Sequence, residues 1–465
     1  MAEANPLFFA TSGMRGKANT EMSPDLALRI GRAIVNWIKS NAPIKGKHRV
    51  CIGFDNRRNS KLLAYTAATA ITSLGVNVII AQNPIPTPFL IFSTMANQTD
   101  AGLMITGSHL PETDNGFILF DSLGNYHKGI LEENEIELVP WVDLGKLQYL
   151  KTEEIDYLSL FSRFIDQVKL TPSSLKILID PAHGVMKKYL YLVLEPIVSE
   201  IIKINWEDDD TFPGRISEPH PKNLTKTRNL FLEQRCDLGI ATDMDGDRVI
   251  FISKSGKIIS GDYIGALFAS YIWKNNPDDV VIVPINTSAV ISHVSKIYGG
   301  RLEFCEVGPP SIINAIREYN AAFAFEETGK YIFVKTAIWP DSVLTVIKLL
   351  SIMQNTGKDL DQLIAEFPIF YSSKTKLPFS RLNKKIFQRE MNELIELEFS
   401  EIKNINDMDG FRIDFEDNSW MLIRLSGTED YVRIFSEHTD QLKNEILNKK
   451  GHKIIYQLSE NNNLL

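Results

Sequence analysis

Three acidic residues occupy alternate positions in one short stretch of the sequence, Asp243, Asp245 and Asp247, and Arg248 follows them. The apolar run 238–241 comes directly before, so the stretch is predicted to be a loop that leaves a strand. Carboxylates spaced in this way can converge on one hard cation, and Mg²⁺ prefers oxygen ligands that it shares with a phosphate. The pattern therefore predicts Mg²⁺ as a cofactor, while a solvated acidic turn remains the alternative.

Two other interpretations of the acidic loop make different demands on the sequence. An EF-hand is excluded because glycine stands at the fourth position of the loop instead of the sixth, and the twelfth position is Lys254. A dehalogenase-type phosphatase with Asp243 as nucleophile needs a later acidic pair at a strand end. The only candidate pair, Asp278-Asp279, precedes a predicted strand, so this interpretation is weakened but stays open.

A serine and a histidine, Ser108 and His109, follow a second apolar run, 101–105, through Thr106-Gly107. Ligands of open α/β sheets bind at the carboxyl ends of the strands, where such a serine is accessible. The surrounding residues do not form a G-x-S-x-G elbow, which argues against a serine hydrolase. Ser108 is therefore a candidate nucleophile of another kind, and an ordinary turn is the alternative.

Two further loops carry groups that suit a phosphorylated sugar. Two arginines nine residues apart, Arg424 and Arg433, flank two hydroxyl residues and a glycine, a set of donors that can clamp a phosphate; the intervening residues are Ser426, Gly427 and Thr428. Glu326 and Thr328, beside Gly329, can bind sugar hydroxyls, although adjacent glutamates are more often solvated. The eight histidines form no H-x-x-x-H pair, so a zinc site of that type is unsupported.

The elements that position these loops follow a repeated order. Three times an apolar run ends in a polar turn, a helical pattern follows, and a second apolar run comes next, which predicts β-α-β units on mostly parallel sheets; the runs begin at Arg49, Lys176 and Val280. From about Phe370 the pattern becomes α+β, with a last helix predicted near 439–448. We predict three similar α/β domains, 1–150, 151–256 and 257–369, and a C-terminal α+β domain, 370–465.

Composition narrows the class of protein. Of 465 residues, 50 are basic and 58 acidic, and a net charge of −8 argues against nucleic acid as a partner. Three distant cysteines, Cys51, Cys236 and Cys305, fit neither a disulfide framework nor a zinc ribbon. The first residues lack a basic signal-peptide region, and the apolar runs are too short to span a bilayer. We expect a cytoplasmic protein without membrane contact, either a monomer or a homodimer.

Taken together and in this order, the loops resemble those of the α-D-phosphohexomutase superfamily, over essentially the whole chain. The opening motif of that family is similar to 11–16, its phosphoserine loop to 106–116, its magnesium loop to 243–248, its sugar loop to 326–329 and its distal phosphate loop to 424–433. A further match is Phe212-Pro-Gly-Arg215. The resemblance implies a fold of four domains around a central cleft, with one of the loops supplied by each domain.

The resemblance also implies roles for individual residues. Ser108 would carry a phosphate, pass it to a hexose 1- or 6-phosphate and recover the other phosphate from the resulting bisphosphate. Catalytic roles would fall to Ser108, His109, Arg15 and Arg248, and the metal ligands would be Ser108, Asp243, Asp245 and Asp247. The small-molecule sugar phosphate would contact the following residues: Thr11, Ser12, Glu326, Thr328, Arg424, Ser426, Gly427, Thr428 and Arg433.

Several positions depart from the family pattern. The family usually has Asn where this chain has Leu110, and a lysine that is a candidate for proton transfer where this chain has Ile118. The sugar loop commonly ends in Gly-His, here Gly329-Lys330, and the basic residue usual after Val-Gly is Pro309-Pro310 here. Losing a group that transfers protons costs roughly 10²- to 10⁴-fold in rate. Three residues are candidate substitutes: Lys17, Lys128 and His109.

The sequence thus predicts a Mg²⁺-dependent phosphohexomutase, an intramolecular phosphotransferase acting on glucose and mannose phosphates. The run Thr106-Gly107-Ser108-His109 favours these sugars, because the glucosamine enzymes more often have alanine directly before the serine, where this chain has Gly107. The alternatives are a phosphoglucosamine mutase and a catalytically impaired relative that binds sugar phosphates. The phosphatase remains a third hypothesis, distinguished by phosphate release that survives Ser108→Ala.

Overall fold

A computed structural model of the chain describes residues 6–42, 46–133, 137–151, 153–426 and 430–462. The chain divides into two compact units. The first comprises residues up to Gly261 together with Thr328–Leu363, and the second comprises Asp262–Glu327 and the residues from Ile364 onward. The chain therefore passes between the units three times, and the elements are given below in chain order.

The N-terminal segment is an α/β sheet with helices. Its elements are β1 (Leu7–Phe9), β2 (Met14–Lys17), α1 (Pro24–Asn41), β3 (Arg49–Phe54), α2 (Ser60–Ser73), β4 (Asn77–Ile80), α3 (Thr87–Ala96), β5 (Ala101–Ile105), β6 (Asp114–Asp121), β7 (Gly129–Leu131) and β8 (Leu147–Tyr149), with a 3₁₀ turn at Trp141–Asp143. The six-stranded sheet has the order β2-β6-β5-β3-β4-β8, and β1 pairs with β7. Helix α1 begins after Ser23, whose hydroxyl accepts from the Leu26 N–H.

The second segment repeats this arrangement. Its elements are α4 (Glu153–Val168), β9 (Lys176–Asp180), α5 (Lys187–Leu194), β10 (Glu200–Lys203), α6 (Thr225–Glu233), β11 (Leu238–Thr242), β12 (Val249–Ile252) and β13 (Ile258–Ile259), with a 3₁₀ turn at Pro221–Asn223. The sheet order is β10-β9-β11-β12-β13, and β9 is parallel to both of its neighbours. The buried Arg215 joins the carboxyl ends of β9 and β11: Nε lies 2.8 Å from Asp180 Oδ2, and Nη2 donates to the Thr242 carbonyl at 2.7 Å. Arg215 therefore fixes the backbone where the acidic loop begins.

The third segment contributes to both units. In the second unit lie α7 (Gly261–Asn275, whose first residue closes the first unit), β14 (Val280–Pro284), α8 (Ala289–Tyr298), β15 (Arg301–Cys305), α9 (Pro309–Glu318) and β16 (Phe323–Glu326). Strand β14 is parallel to β15 and β16. In the first unit lie β17 (Lys330–Phe333) and α10 (Ser342–Thr356), and α11 (Leu360–Ile364) spans its last residues. The buried strands read as continuous apolar runs, as parallel strands covered on both faces do.

The C-terminal segment is α+β, as the sequence predicts. Its elements are β18 (Tyr371–Pro378), α12 (Lys384–Glu398), β19 (Ile402–Asn406), β20 (Phe411–Phe415), β21 (Trp420–Leu425), β22 (Tyr431–His438) and α13 (Gln441–Asn461), with a 3₁₀ turn at Arg381–Asn383. The antiparallel sheet has the order β18-β22-β21-β20-β19. Helix α13 continues well past the predicted end near residue 448, since Gly451 does not end it. A Cβ at Gly451 would lie 2.8 Å from Ile434 and Met421, so this glycine lets the helix pack closely on the sheet.

Candidate active site

Ser108 lies in the loop after β5, with its backbone in the left-handed region at φ +48°. Its N–H donates to Thr106 Oγ1 at 2.7 Å, and the residue is buried. A residue with a Cβ adopts this conformation at a cost of about 1–3 kcal/mol, so surrounding contacts must hold it. The serine is therefore held in a fixed orientation by the loop.

Arg57 supplies most of the contacts that hold the serine loop. Its Nη2 donates to the carbonyls of Ser108 at 3.0 Å and Leu110 at 2.7 Å, and its Nη1 donates to the carbonyl of Asp114 at 2.9 Å and to that of Pro111. Sequence reasoning missed this residue. The signal that could have found it is its place just after β3, the strand beside β5 in the sheet.

Gly107 and Asp55 complete this arrangement. A Cβ at Gly107 would lie 2.3 Å from Cζ of Arg57, so only glycine leaves room for the guanidinium. Asp55 Oδ2 accepts the Gly107 N–H at 3.2 Å and lies 3.3 Å from Arg57 Nε. Both side chains are buried, which makes the pair costly to break. The glycine in the Thr-Gly-Ser motif is thus explained by an arginine fifty residues earlier.

Arg15 reaches the same loop from β2, since its Nη1 donates to the Thr106 carbonyl. It is paired in register with Gly116, where a Cβ would lie 2.5 Å from Cδ of Arg15. Burial lowers the pKa of Arg15, which stays a cation at neutral pH. Arg15 therefore brings a positive charge to the serine loop.

The three aspartates of the acidic loop converge after β11. One carboxylate oxygen from each of Asp243, Asp245 and Asp247 lies within 4.8 Å of the others, and all three residues are buried. Asp243 Oδ1 accepts two backbone N–H groups, from Gly246 at 3.1 Å and from Arg248 at 3.2 Å. Asp243 Oδ2 lies 3.3 Å from Ser108 Oγ, which brings the serine and acidic loops together.

Two of the aspartates each have one oxygen held and one unsatisfied. Oδ2 of Asp245 accepts from Thr87 Oγ1 at 2.7 Å, and Oδ2 of Asp247 accepts from Lys330 Nζ at 2.7 Å. Oδ1 of both carboxylates is buried without a hydrogen-bond partner in the described part of the chain. Buried polar atoms are rarely left unpaired, and hard oxygen donors are what Mg²⁺ binds. The residues therefore fit a divalent cation, with Asp243, Asp245 and Asp247 as its ligands.

Electrostatics in the loop agree with that fit. Burial, and then the neighbouring aspartates, raise the pKa of Asp243 and of Asp245. Burial acts in the same direction on Asp247, but Lys330 and Arg248 outweigh it and lower its pKa. Three carboxylates crowded away from water are therefore poised to gain a cation.

His109 and Arg248 also lie near the acidic and serine loops. Arg248 Nε is 3.6 Å from Asp243 Oδ2. The positive charge of Arg248, then burial, then the charge of Arg15 hold the pKa of His109 well below its usual range. His109 is therefore neutral at physiological pH, and its buried Nδ1 has no hydrogen-bond partner among the residues described.

The family's proton-transferring lysine is replaced by Ile118 in this chain, and the two lysines that are candidate substitutes lie on the surface. Ile118 is buried in β6 opposite Met104. Lys17 and Lys128 are exposed, and Lys17 pairs with Asp114 at 2.5 Å. A lysine that is buried and does contact the acidic loop is Lys330, the first residue of β17. In the sequence this residue stood out only as a departure from the family pattern.

Four predicted substrate-contacting residues lie outside the serine and acidic loops: Glu326, Thr328, Thr11 and Ser12. Glu326 ends β16 and is buried in the second unit, whereas Thr328 opens the return of the chain to the first unit and is half-buried. No role was predicted for Glu327. It accepts a hydrogen bond from Asn286 Nδ2 at 3.0 Å and pairs with Lys374. Thr11 is half-buried and Ser12 exposed in the turn between β1 and β2.

The C-terminal phosphate loop presents two arginines side by side. Arg424 and Arg433 are directly paired across β21 and β22, an arrangement of like charges that is unfavourable by itself. Arg424 Nε lies 2.8 Å from Asp409 Oδ2, and Arg433 Nη2 donates to the Tyr431 hydroxyl at 2.7 Å. Ser426 is buried, and its N–H donates to the Tyr431 carbonyl. The predicted Gly427 and Thr428 lie outside the described residues.

Comparison with known protein families gives four matches in succession along the chain. They are the models described as phosphoglucomutase/phosphomannomutase alpha/beta/alpha domains I, II and III, over residues 6–137, 155–256 and 260–370, and the C-terminal domain, over 379–448. The chain belongs to the phosphoglucomutase/phosphomannomutase family. It is thus a member of the α-D-phosphohexomutase superfamily with a four-domain α/β architecture, and both predictions are confirmed.

Relatives in this family carry three different names. The chain is 31% identical to "Probable phosphoglucosamine mutase" of Methanobrevibacter smithii, over 96% of this chain and 98% of the relative. It is 29% identical to "Phosphoglucomutase/phosphomannomutase" of Thermococcus kodakarensis, over 96% and 98%. A "Phosphopentomutase" of the same organism is 30% identical, over 97% and 98%.

A solved structure shares the fold. It is a phosphoglucomutase/phosphomannomutase family protein from Burkholderia thailandensis, with a TM-score of 0.83 and 21% identity, covering 97% of this chain and 98% of that one. Phosphoglucomutase/phosphomannomutase family members are mutases, so this chain is a phosphotransferase isomerase, as predicted. In the part of the chain that the structure describes, no helix combines the length and apolarity needed to cross a bilayer.

Proposed function

We propose that the protein interconverts the 1- and 6-phosphates of a hexose or hexosamine through a phosphoserine at Ser108. The observation that carries the proposal is the 3.3 Å contact between Ser108 Oγ and Asp243 Oδ2, which joins a candidate nucleophile to a cluster of three buried carboxylates. Family membership supports the same reaction class.

Each residue of the cluster has a role in this proposal. Asp243, Asp245 and Asp247 would hold Mg²⁺ together with the phosphate on Ser108. When bound, the ion would neutralise charge on the transferred phosphoryl group. Arg15 and Arg248 would add fixed positive charge beside that group, and Arg57 would hold the serine loop in place during transfer. Phosphoryl transfer depends mainly on such positioning and charge stabilisation.

The proposed reaction proceeds by two transfers. In the first, the P–Oγ bond of phosphoserine 108 breaks, a bond forms from phosphorus to a sugar hydroxyl oxygen, and the hydroxyl proton ends on Ser108 Oγ. The product is a sugar bisphosphate. In the second, the other phosphate of the bisphosphate returns to Ser108 Oγ, and the proton passes back to the sugar oxygen that is released.

The arginine pair Arg424 and Arg433 would bind the phosphate that is not reacting. Their direct cross-strand pairing leaves two like charges together, which an anion would relieve. A pair of guanidinium groups recognises phosphate as such, so it can serve either end of the sugar.

Glucosamine phosphate is the first substrate to test, because the 31% identical relative from Methanobrevibacter smithii carries the name of that activity. Glucose and mannose phosphates are the second candidates, favoured by the run Thr106-Gly107-Ser108-His109 and by the name of the 29% identical relative. Pentose phosphate belongs in the same panel, given the name of the 30% identical relative.

The test is a substrate panel with the purified full-length protein, Mg²⁺ and a trace of the matching sugar bisphosphate. Conversion of each 6-phosphate to its 1-phosphate is followed by ³¹P NMR, together with any release of inorganic phosphate. The proposal expects isomerisation of at least one hexose or hexosamine phosphate, abolished by Ser108→Ala. Folded, phosphorylated protein that isomerises none of them would contradict it, and phosphate release that survives Ser108→Ala would favour the phosphatase.

A further inference from the structure

Lys330 and Thr87 make matching contacts on the proposed metal ligands. Lys330 Nζ lies 2.7 Å from Asp247 Oδ2, and Thr87 Oγ1 lies 2.7 Å from Asp245 Oδ2. Each contact occupies one oxygen and leaves Oδ1 of the same carboxylate as the buried, unsatisfied atom. Partners of this kind fix which oxygen a metal ligand presents.

The backbone that carries Lys330 is itself attached to the acidic loop. The Gly329 carbonyl accepts the Val249 N–H at 2.9 Å, and Ser342 Oγ donates to the Gly246 carbonyl at 2.8 Å. A Cβ at Gly329 would lie 2.5 Å from the Val249 carbonyl oxygen, so the close approach requires glycine. Lys330 is also buried, with 8% of its surface exposed. Its position against Asp247 is therefore fixed by its surroundings.

Thr87 is fixed in the same way from another segment. Its N–H donates to the Asp245 carbonyl at 3.0 Å while its hydroxyl holds the side chain of the same residue. Thr87 begins helix α3 and is buried. The two positioning contacts thus reach the acidic loop from opposite parts of the sequence.

We propose that Thr87 and Lys330 are positioning residues of the metal site with opposite effects on cation affinity. Thr87 is neutral, so it only orients Asp245 and strengthens binding. Lys330 orients Asp247 but also brings a positive charge to a site built for a divalent cation, so its net effect is to weaken binding. The charge of Lys330 thus lowers the affinity for the free ion, and in return it adds a fixed positive charge beside the phosphoryl group. This inference rests on the metal site of the proposed function.

The experiment measures Mn²⁺ binding to the purified, dephosphorylated full-length protein by calorimetry and electron paramagnetic resonance, without substrate. Lys330→Gln, which keeps a donor for Asp247 and loses the charge, is expected to bind Mn²⁺ about tenfold tighter than wild type. Lys330→Arg, which keeps the charge, is expected to match wild type within about threefold. Thr87→Val is expected to bind about tenfold weaker, and Thr87→Ser to restore binding.

Three outcomes would overturn the inference. Unchanged or weaker Mn²⁺ binding by Lys330→Gln would show that the lysine charge does not oppose the ion. Unchanged binding by Thr87→Val would remove the orienting role of Thr87. Absence of Mn²⁺ binding by wild type would overturn the metal site as well, so failure of the proposed function is distinguishable from failure of the inference alone. Thermal unfolding of each variant verifies that the fold is intact.

Discussion

The acidic and serine loops of the first unit differ in construction from the arginine pair of the second. Around Ser108 the charged side chains are buried and held by neighbours: Arg57 contacts four carbonyls, and Asp243 accepts two backbone N–H groups. Arg424 and Arg433 are half-buried, and they face each other across two strands with like charge. The serine loop is therefore held by contacts within the protein, whereas the arginine pair leaves two like charges that an anion would relieve.

The difference indicates how each region would serve the proposed reaction. A group that transfers a phosphoryl must be positioned within tenths of an ångström, which buried contacts provide. A group that holds the non-reacting phosphate has to accept either end of the sugar, which favours long, partly exposed guanidinium side chains. Substitutions of the buried charged residues that support the first region should therefore affect chemistry and stability together, and those in the second region should affect mainly substrate binding.

The largest expected effect is that of Ser108→Ala on turnover. Removing the proposed nucleophile should lower kcat at least about 10³-fold, with little change in the unfolding midpoint because only one hydroxyl is lost. Steady-state kinetics on the active substrate measures this. Ser159→Ala, an exposed serine on α4, is the control and should behave as wild type. Turnover by Ser108→Ala within tenfold of wild type would contradict the role of the serine.

Arg57→Ala should damage both stability and activity. It leaves Asp55 buried without its ion-pair partner and four carbonyls without donors, which costs about 3–5 kcal/mol. Urea unfolding and kinetics measure the two effects. The neighbouring Arg58 is exposed and pairs with Asp210 at the surface, so Arg58→Ala should leave both nearly unchanged. Equal losses for Arg57 and Arg58 would remove the contrast between a buried support and a surface pair.

Arg433→Gln should separate binding from stability. Loss of one guanidinium is expected to raise KM for the sugar phosphate about 10- to 100-fold with a smaller change in kcat. Removing the like-charge pair should at the same time stabilise the free protein by about 0.2–1 kcal/mol. Arg389→Gln, an exposed arginine of α12, serves as control. Destabilisation without a change in KM would mean that the arginine pair is structural.

The remaining expected effect is on the pH dependence of stability and concerns Asp262 in the second unit. Burial first, and then the negative charge of Glu327, raise the pKa of Asp262 to about 8. In the unfolded chain an aspartate ionises near pH 4, so between about pH 4 and 8 the folded protein holds a proton that the unfolded chain has lost. The free energy of unfolding contributed by this group therefore falls as pH rises.

Asp262→Asn removes that titration, so its free energy of unfolding relative to that of wild type is expected to rise by roughly 1 kcal/mol for each pH unit between pH 5 and pH 8. Urea unfolding at a series of pH values measures the difference. Parallel curves for the two proteins would show that Asp262 does not titrate in this range. The result would show whether burial keeps the Asp262 carboxyl protonated in the folded protein.

Much of the architecture was predictable from local pattern. Strand β5 has the limits of the predicted apolar run 101–105, because an apolar run bounded by polar turns constrains both ends. The end of α13 was not predictable from local pattern, because a glycine that follows two lysines, as Gly451 does, resembles a helix end. Only the packing of Gly451 against Ile434 and Met421 explains why the helix continues.

The residues of the candidate site also divide into those that the sequence could predict and those that it could not. Asp243, Asp245, Asp247 and Ser108 could be singled out because they follow apolar runs directly. Arg57, Thr87 and Lys330 could not, since each acts on a loop from another part of the sequence, and one sequence gives no measure of which distant residues meet. Contacts of that kind depend on the order of strands in the sheets, which periodicity leaves open.

The most direct test follows the phosphate on Ser108. Protein phosphorylated with the bisphosphate of the active sugar is freed of excess reagent, and its intact mass and the site of modification are determined before and after adding one equivalent of sugar monophosphate. The account predicts one phosphoryl group on Ser108, lost from the protein as the sugar bisphosphate appears in equal amount. A phosphate that resides on another residue, or isomerisation in which a ³²P label placed on Ser108 never reaches the sugar phosphate, would contradict it.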